Sequence, residues 1–199
     1  TMKMSRFEKI FVNNPISAWG QKRTARLMLQ LGGEIKEGKV LEIGCGWGRG
    51  VELILSLFNA ASVDAFEFDP DQLMLAKKRL LPKYKDNVRL FEASATDIPS
   101  PDSVYDAVFD FNVLHHIPDN DKAIKEIARV LKTGGRFFFQ EYMVAYACGL
   151  LTRLFVHHPH EGQFNWQGLS ERLAKVGLNV TEKSCNVGTY LATGVAFKK

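Results

Sequence analysis

The chain has 199 residues, of which 46% are hydrophobic and 24% are charged, and its formal net charge at pH 7 is +4. This composition excludes disordered, collagen-like and low-complexity chains. The length accommodates one domain with its own core. The charge is unevenly spread, because residues 1–39 contain eight basic and three acidic side chains, a net of +5, and the rest of the chain sums to −1.

The cysteine spacing and the length of the apolar runs indicate the cellular compartment of the protein. Cys45, Cys148 and Cys185 are far apart and form no CxxC pair, which favours a reducing interior. No apolar run approaches the ~20 residues needed to span a bilayer. The first residues are charged without a following apolar segment, so we expect no signal peptide. The sequence therefore predicts a cytoplasmic protein without a transmembrane segment.

Short apolar runs alternate with segments of helical periodicity along the first half of the chain. Apolar residues spaced for one helix face lie between residues 51 and 58, and Asp69-Pro70 predicts the cap and first turn of a second helix. The short apolar runs predict buried strands. These strands are Val40–Ile43, Ala61–Phe68, Val88–Phe91 and Tyr105–Phe111.

The same alternation continues to the end of the chain. Asp119 or Asn120 is expected to cap a helix that ends at Thr133-Gly134-Gly135, and Phe137 opens a fifth strand. A helix over Trp166–Val176 precedes a closing hairpin, whose strands are Leu178–Cys185 and Leu191–Phe197. This order predicts an α/β sheet with helices on both faces, in which ligands bind beyond the carboxyl ends of the strands.

The first predicted strand ends in a glycine-rich loop, Glu42-Ile43-Gly44-Cys45-Gly46-Trp47-Gly48. Glycines let the backbone turn tightly and approach a ligand at the start of a helix. The dinucleotide pattern G-x-G-x-x-G would need glycine at position 49, which is Arg49. The carboxylate of Glu42 favours a ligand that carries an ammonium group and would repel a pyrophosphate.

The second predicted strand ends at Phe66-Glu67-Phe68. A carboxylate at this position can accept hydrogen bonds from both hydroxyls of a ribose, so Glu67 is a candidate ligand-binding residue. Asp69 is better explained as the cap of the following helix.

These residues resemble the class I S-adenosylmethionine-dependent methyltransferases, specifically their small-molecule and quinone/sterol-type branch. The resemblance covers residues 38–141. Besides the glycine loop it rests on four stretches in the same order, which are Ala95–Pro99, Tyr105–Val108, Val113–Ile117 and Glu126–Gly135.

The resemblance implies a Rossmann-like, doubly wound sheet of seven strands, mostly parallel, with an antiparallel last strand and an N-terminal helical cap. It implies S-adenosyl-L-methionine as the cofactor, with Glu42 near the methionine ammonium and Glu67 at the ribose. The remaining implied cofactor contacts are Gly44, Cys45, Gly46, Trp47 and Gly48 in the loop, Ser94 and Ala95 at the adenine, and Phe111 at the methionine end. The family usually has Asp at position 94, so Asp97 or Glu92 is an alternative partner of the adenine.

The methyl acceptor is expected beyond the same edge of the sheet. His115 is the candidate catalytic residue because a histidine titrates in the range that a general base needs. Other titratable candidates are His116, Glu141, Tyr142 and a cluster at 157–161 (His157, His158, His160 and Glu161), for which a solvated loop is favoured over a metal site. Phe164, Trp166 and Trp19 are candidates for an apolar wall.

The sequence thus predicts one methyltransferase domain with a cap at 1–37, a cofactor-binding core at 38–141, an acceptor-side loop at 142–165 and a closing helix and hairpin at 166–199. The acceptor is expected to be a small molecule. A catalytically silent cofactor-binding or protein-interaction domain and an NAD-type oxidoreductase stay open as alternatives. No basic stripe on the body indicates nucleic acid, whereas Lys22, Arg23 and Arg26 allow contact with anionic acceptors or a membrane surface.

Overall fold

The computed structural model describes residues 15–143 and 165–199. Its helices, numbered in chain order, are α1 Pro15–Gly32, α2 Arg49–Phe58, α3 Pro70–Tyr84, α4 Asn120–Val130 and α5 Trp166–Lys175. Its strands are β1 Lys39–Ile43, β2 Ser62–Glu67, β3 Val88–Glu92, β4 Tyr105–Phe111, β5 Leu131–Tyr142, β6 Leu178–Asn179, β7 Cys185–Val187 and β8 Leu191–Lys198.

Within the described residues, all eight strands form one sheet in the order β3-β2-β1-β4-β5-β8-β6. The first five of these are parallel, and β8 is antiparallel to β5. Both β6 and β7 pair with β8, at different points along it, so they share the seventh position across the sheet. The predicted seven-stranded doubly wound arrangement with an antiparallel last strand is confirmed.

Helices cover both faces of this sheet. On one face, α1, α2 and α3 pack over a cluster that includes Val40, Phe109 and Phe138. On the other face, α4 and α5 cover a cluster that includes Phe137 and Phe139. Neighbouring phenylalanines of β5 therefore point into opposite cores, which explains why Phe137, Phe138 and Phe139 are all apolar.

Local signals fix where the helices start. The Asp69 carboxylate accepts a hydrogen bond of 3.0 Å from the Asp71 backbone N–H at the start of α3. Asp119 likewise accepts from the Lys122 N–H at 3.0 Å, which assigns the cap of α4 to Asp119 rather than Asn120. At α2 no side chain caps the helix, and Gly48 enters it with a φ of 87°.

Several predicted boundaries were wrong. Helix α4 ends at Val130 rather than at the glycines, because Leu131 is extended and pairs with Tyr105 in the sheet. For the same reason β5 begins at Leu131 rather than at Phe137. The second strand is shorter by one residue at each end than predicted. The first arm of the closing hairpin is split into β6 and β7 by a 3-10 turn at Glu182–Ser184.

Part of the predicted N-terminal cap is described. Helix α1 packs against α2 and β8, and its residues Thr24, Ala25 and Met28 are buried. Residues 1–14 and most of the predicted acceptor-side loop lie outside the described residues. Among the described residues, no helix is both long enough and apolar enough to cross a membrane.

A buried aspartate joins four of the parallel strands. Asp64 on β2 accepts two hydrogen bonds from the Arg89 guanidinium, of 3.0 and 2.8 Å, and one of 2.8 Å from the Tyr105 hydroxyl. Its carboxylate also lies 3.2 Å from the Lys39 ammonium. Burial alone would raise the pKa of Asp64, but the hydrogen bonds from Arg89 and Tyr105 outweigh it and hold that pKa below its ordinary value.

We predict that Asp64→Ala lowers the free energy of unfolding by ~3 kcal/mol, because it leaves Arg89 and Tyr105 without their buried partner. Asp102→Ala is the matched control, since Asp102 pairs with Arg129 while 75% exposed, and should cost less than ~1 kcal/mol. Urea denaturation near pH 7 measures both.

Because the pKa of Asp64 is lowered in the folded protein, its contribution to stability is present above the ordinary value of 3.8 and is lost as the pH falls through the folded-state pKa. Equal losses in the two variants would contradict this role of Asp64.

Candidate cofactor and catalytic site

The glycine loop follows β1 and leads into α2 at the carboxyl edge of the sheet. Gly44, Gly46 and Gly48 all have positive φ values, of 59°, 54° and 87°. A Cβ at Gly44 would lie 2.7 Å from a methyl carbon of Val113, whereas one at Gly46 would meet nothing within 4 Å. The backbone at Gly46 is therefore open to a ligand, and the other two glycines are required by conformation and packing.

The carboxylate of Glu67 holds this loop in place. Its Oε2 accepts a hydrogen bond of 2.7 Å from the Gly46 N–H. Its Oε1 accepts from the backbone N–H groups of Phe68 and Asp69, at 2.9 and 3.0 Å. Glu67 was predicted only as a ligand-binding residue, and the structure shows that it also ties the end of β2 to the loop.

Glu42 lies behind the loop and is 2% exposed. Its Oε1 occupies the space that a Cβ at Gly50 would need, which explains a glycine at that position. Its Oε2 has no hydrogen-bond partner among the described residues. Burial raises the pKa of Glu42 well above 4.5, and the nearby carboxylates of Glu67 and Asp110 raise it further. A buried acid with one unpartnered oxygen is suited to a cationic hydrogen-bond donor.

The side chains of Cys45 and Trp47 leave the loop in different directions. Cys45 is buried, and burial followed by the charge of Glu42 raises the pKa of its thiol, so it stays neutral. Trp47 packs its indole against the guanidinium groups of Arg49 and Arg79, whose central carbons lie 5.4 and 4.6 Å from the ring centroid. The side chain of Trp47 is thus committed to these arginines.

A second group of acids and a histidine lies at the ends of β4 and β5. The Glu141 carboxylate is fully buried and accepts from the Leu114 N–H at 2.8 Å and from the His115 N–H at 3.3 Å. The Nδ1 atom of His115 lies 2.5 Å from Glu141 Oε2. Burial raises the pKa of Glu141 to about 7 and lowers the pKa of His115 to about 4. The imidazole is therefore neutral at pH 7, with Nδ1 directed at a carboxylate.

Asp110 and Asn112 add further acceptors at this edge. Asp110 Oδ1 accepts from the Val113 N–H at 2.8 Å, but its Oδ2 and the Oδ1 of Asn112 have no partner among the described residues. Burial, and then the adjacent Glu141, raise the pKa of Asp110. Asn112 has a φ of 65° and donates to Gln140 at 3.0 Å, and Gln140 donates to Thr24 of α1 at 2.6 Å.

The predicted adenine and methionine contacts follow neighbouring strands. The Ser94 hydroxyl is 2.8 Å from the Thr96 hydroxyl and accepts from the Thr96 N–H at 3.2 Å. Ala95 is buried, whereas Glu92 and Asp97 are exposed. Phe111 is half-buried at the end of β4 and stacks on Phe109 with centroids 6.1 Å apart. Because β1, β2, β3 and β4 are parallel neighbours, these residues and the glycine loop share one edge.

The structure also shows contributions that motif reading missed. Gly50 is the fourth glycine at alternate positions from Gly44, and this continued alternation is a signal that could have been used. Asp110 follows the apolar run Ala107-Val108-Phe109 within a predicted buried strand, which is another available signal. No sequence signal indicated the contacts among Asn112, Gln140 and Thr24, because these residues are distant in the sequence and meet only in the fold.

Several predicted candidates cannot be placed. His157, His158, His160, Glu161 and Phe164 lie outside the described residues. Within the residues that the structure describes, no group of three His, Cys, Asp or Glu side chains is arranged to hold a metal ion. Trp166 packs against Phe139 with ring centroids 6.3 Å apart, and Trp19 is 67% exposed on α1.

Comparison with known proteins places this site in a family. Residues 41–139 match the model of a methyltransferase domain. A 27-O-demethylrifamycin SV methyltransferase of Amycolatopsis mediterranei is 32% identical over 132 residues, which cover 64% of the chain and 48% of that protein. A fatty-acid O-methyltransferase of Mycolicibacterium smegmatis is 32% identical over 106 residues, which cover 53% of the chain and 38% of that protein. The chain thus spans about half or less of the length of these relatives.

The fold agrees with these matches. The crystal structure of the PH0226 protein from Pyrococcus horikoshii superposes with a TM-score of 0.76 at 21% identity, over 94% of this chain and 93% of that one. The match at this identity concerns the fold alone. The matching domain model, together with the glycine loop after β1 and the acid at the end of β2, shows the family: the chain belongs to the class I S-adenosylmethionine-dependent methyltransferases.

Proposed function

We propose that this chain transfers the methyl group of S-adenosylmethionine to a small-molecule acceptor that loses a proton in the reaction. The observation that carries the proposal is the buried Glu42 carboxylate behind the glycine loop, with one oxygen that has no partner among the described residues. The protein gains little from burying such a group unless a cationic ligand completes its hydrogen bonds.

The residues present fit this cofactor. Glu42 Oε2, Asp110 Oδ2 and Asn112 Oδ1 are buried acceptors without described donors, and they are chemically matched to an α-ammonium group. The open backbone at Gly46 and the carboxylate of Glu67 are the proposed ribose side. A pyrophosphate would meet acidic groups here, which argues against the NAD-type alternative.

The bound cofactor supplies an electrophilic methyl group on a sulfonium. The protein has to position the acceptor in line with that group and exclude water. Among the chain's own residues, Glu42 and Glu67 orient the two ends of the cofactor. Ser94, Ala95, Phe111 and the loop residues Gly44, Cys45, Trp47 and Gly48 complete the proposed cofactor contacts.

His115 is the proposed general base, and Glu141 is its positioning residue. A carboxylate that accepts from Nδ1 fixes the tautomer of the imidazole and leaves Nε2 as the basic nitrogen. Burial lowers the pKa of His115 to about 4, so the ring is in the neutral form that accepts a proton, but it does not titrate in the range expected of it from the sequence. When it does so, the ionised Glu141 carboxylate stabilises the imidazolium.

The acceptor class is proposed from this base and from the relatives. An acceptor hydroxyl must lose its proton as the oxygen is methylated, so a positioned base accelerates the step. The name of the rifamycin relative refers to a methyl group on an oxygen, whereas the fatty-acid relative is named for O-methylation of an acid, whose carboxylate needs no base. We therefore propose a small-molecule hydroxyl group as the acceptor.

Two experiments separate the alternatives. Calorimetry should show binding of S-adenosylmethionine and S-adenosylhomocysteine and no binding of NAD; the reverse result would favour the oxidoreductase. Labelled methyl transfer from S-adenosylmethionine into a metabolite extract tests turnover. Cofactor binding without any transfer would favour the catalytically silent domain.

We predict that Glu67→Ala weakens S-adenosylhomocysteine binding by ~1–3 kcal/mol, because ribose hydroxyls and the Gly46 N–H lose a charged acceptor. Calorimetry near pH 7 measures the change. Asp86→Ala is the control, because Asp86 is an exposed acid before β3, at the opposite edge of the sheet. Unchanged affinity in Glu67→Ala would place the ribose elsewhere.

Glu42→Gln should stabilise the ligand-free protein and weaken cofactor binding. The raised pKa of Glu42 means that ionising it costs more in the folded than in the unfolded chain. The gain in unfolding free energy should therefore be near zero below the ordinary value of 4.5 and grow as the pH rises toward the folded-state pKa. Urea denaturation at pH 4 and pH 8 tests this, with Asp86→Asn as the control. A variant less stable than the parent at pH 8 would refute the assignment.

His115→Ala should lower kcat by ~10²–10⁴-fold if the imidazole takes the acceptor proton. Glu141→Gln should lower it by ~10–100-fold through loss of orientation. Because the pKa of Glu141 is raised to about 7, kcat should fall as the pH drops below that value, and this limb should vanish in Glu141→Gln. Full activity of a folded His115→Ala variant would exclude the base, and an unchanged pH profile in Glu141→Gln would exclude its positioning role.

A further inference from the structure

A basic cavity is formed by side chains of three helices, α1, α2 and α3. It has a volume of about 510 Å³. Three basic side chains line it, those of Lys22, Arg49 and Arg79. The other lining side chains include one acid, Glu52, and the apolar groups of Trp19 and Leu53. We call it the basic cavity.

The two arginines of the basic cavity are held close together without a full set of partners. Both guanidinium groups pack on Trp47, at 5.4 and 4.6 Å from its ring centroid. Burial, and then the positive charge of Arg79, lower the pKa of Arg49. Arg79 pairs through Nη2 with Glu52, but its Nη1 is buried and has no partner among the described residues. Glu52 is the one carboxylate that lines the basic cavity, and its ion pair is with Arg79.

We propose that the basic cavity binds the oxyanion of an amphiphile, a phosphate or carboxylate group attached to an apolar body. An oxyanion between Arg49 and Arg79 would accept from both guanidinium groups and relieve their repulsion. Lys22 supplies a third positive charge. Leu53, Leu57 and the Trp19 ring offer the apolar surface that the body of the ligand would cover.

The exposed face of α1 favours the same class of ligand. Trp19, Lys22, Arg23 and Arg26 are all exposed and follow helical spacing. Helix α1 contains no acidic residue, and the Arg23 guanidinium lies 5.9 Å from the centroid of Trp19. A cation would be repelled from this surface, whereas an anionic amphiphile is attracted by its charge and held by its aromatic ring.

The inference does not depend on the proposed methyl transfer. The cofactor edge presents carboxylates and amide oxygens, which select a cation, and the basic cavity presents guanidinium groups, which select an anion. Trp47 belongs to both regions, because its backbone lies in the glycine loop and its side chain supports the arginines.

The test uses the whole chain and three probes: inorganic phosphate, hexyl phosphate, and vesicles of phosphatidylcholine with or without phosphatidic acid. Calorimetry measures the two soluble probes, and flotation measures the vesicles. Arg49→Gln and Arg79→Gln remove the proposed contacts. Lys125→Gln is the charge-matched control, because Lys125 is exposed on α4, which covers the opposite face of the sheet. Thermal unfolding verifies that each variant folds.

Hexyl phosphate should bind more tightly than inorganic phosphate, and Arg49→Gln should weaken it at least tenfold while Lys125→Gln leaves it unchanged. Glu52→Gln should strengthen binding, since it removes the competing carboxylate, and it decides the matter if Arg79→Gln does not fold. If the protein floats only with vesicles that contain phosphatidic acid, and Arg49→Gln abolishes this flotation, the result would support the site and identify a lipid headgroup as the source of the oxyanion. No binding of any probe, or equal losses in Arg49→Gln and Lys125→Gln, would overturn the proposal.

Discussion

Three carboxylates, those of Glu42, Asp110 and Glu141, are buried at one edge of this sheet, and one oxygen each of Glu42 and Asp110 has no partner among the described residues. Burial raises the pKa of each, so the ligand-free fold carries an electrostatic cost at this edge. Such a cost is typical of a binding site, because residues chosen for stability alone would be apolar here. The burial of these acids is explained if a bound cation donates hydrogen bonds to their oxygens.

The surrounding structure keeps these groups in place. The parallel strands bring the ends of β1, β4 and β5 side by side, which no single helix or hairpin could do. Glycine at position 50 leaves room for Glu42, and the Glu67 carboxylate holds the loop by accepting from Gly46. The hydrogen bonds from Asn112 through Gln140 to Thr24 then attach α1 to the same edge.

The sequence was sufficient for features that depend on neighbouring residues. The alternation of apolar runs and amphipathic segments predicted the α/β sheet, and the order acid-x-G-x-G-x-G placed the loop. Pairings across the fold were not predictable, because His115 and Glu141 are 26 residues apart and Trp47 meets Arg79 only after α3 packs beside the loop. The end of α4 was misplaced for the same reason: Leu131 pairs with Tyr105 of a neighbouring strand, and this contact overrides the local signal of Gly134 and Gly135.

The central claim is that the buried carboxyl group of Glu42 has a raised pKa and that a cationic group of the cofactor donates the hydrogen bond that this carboxyl lacks. Calorimetric titration with S-adenosylhomocysteine in buffers of different ionisation enthalpy, from pH 5 to pH 7, counts the protons exchanged on binding. The account predicts net proton release from the wild-type protein, because the ligand's ammonium group lowers the pKa of Glu42, and a clearly smaller release from Glu42→Gln. Binding with no proton release across this range, or with equal release from both proteins, would contradict it.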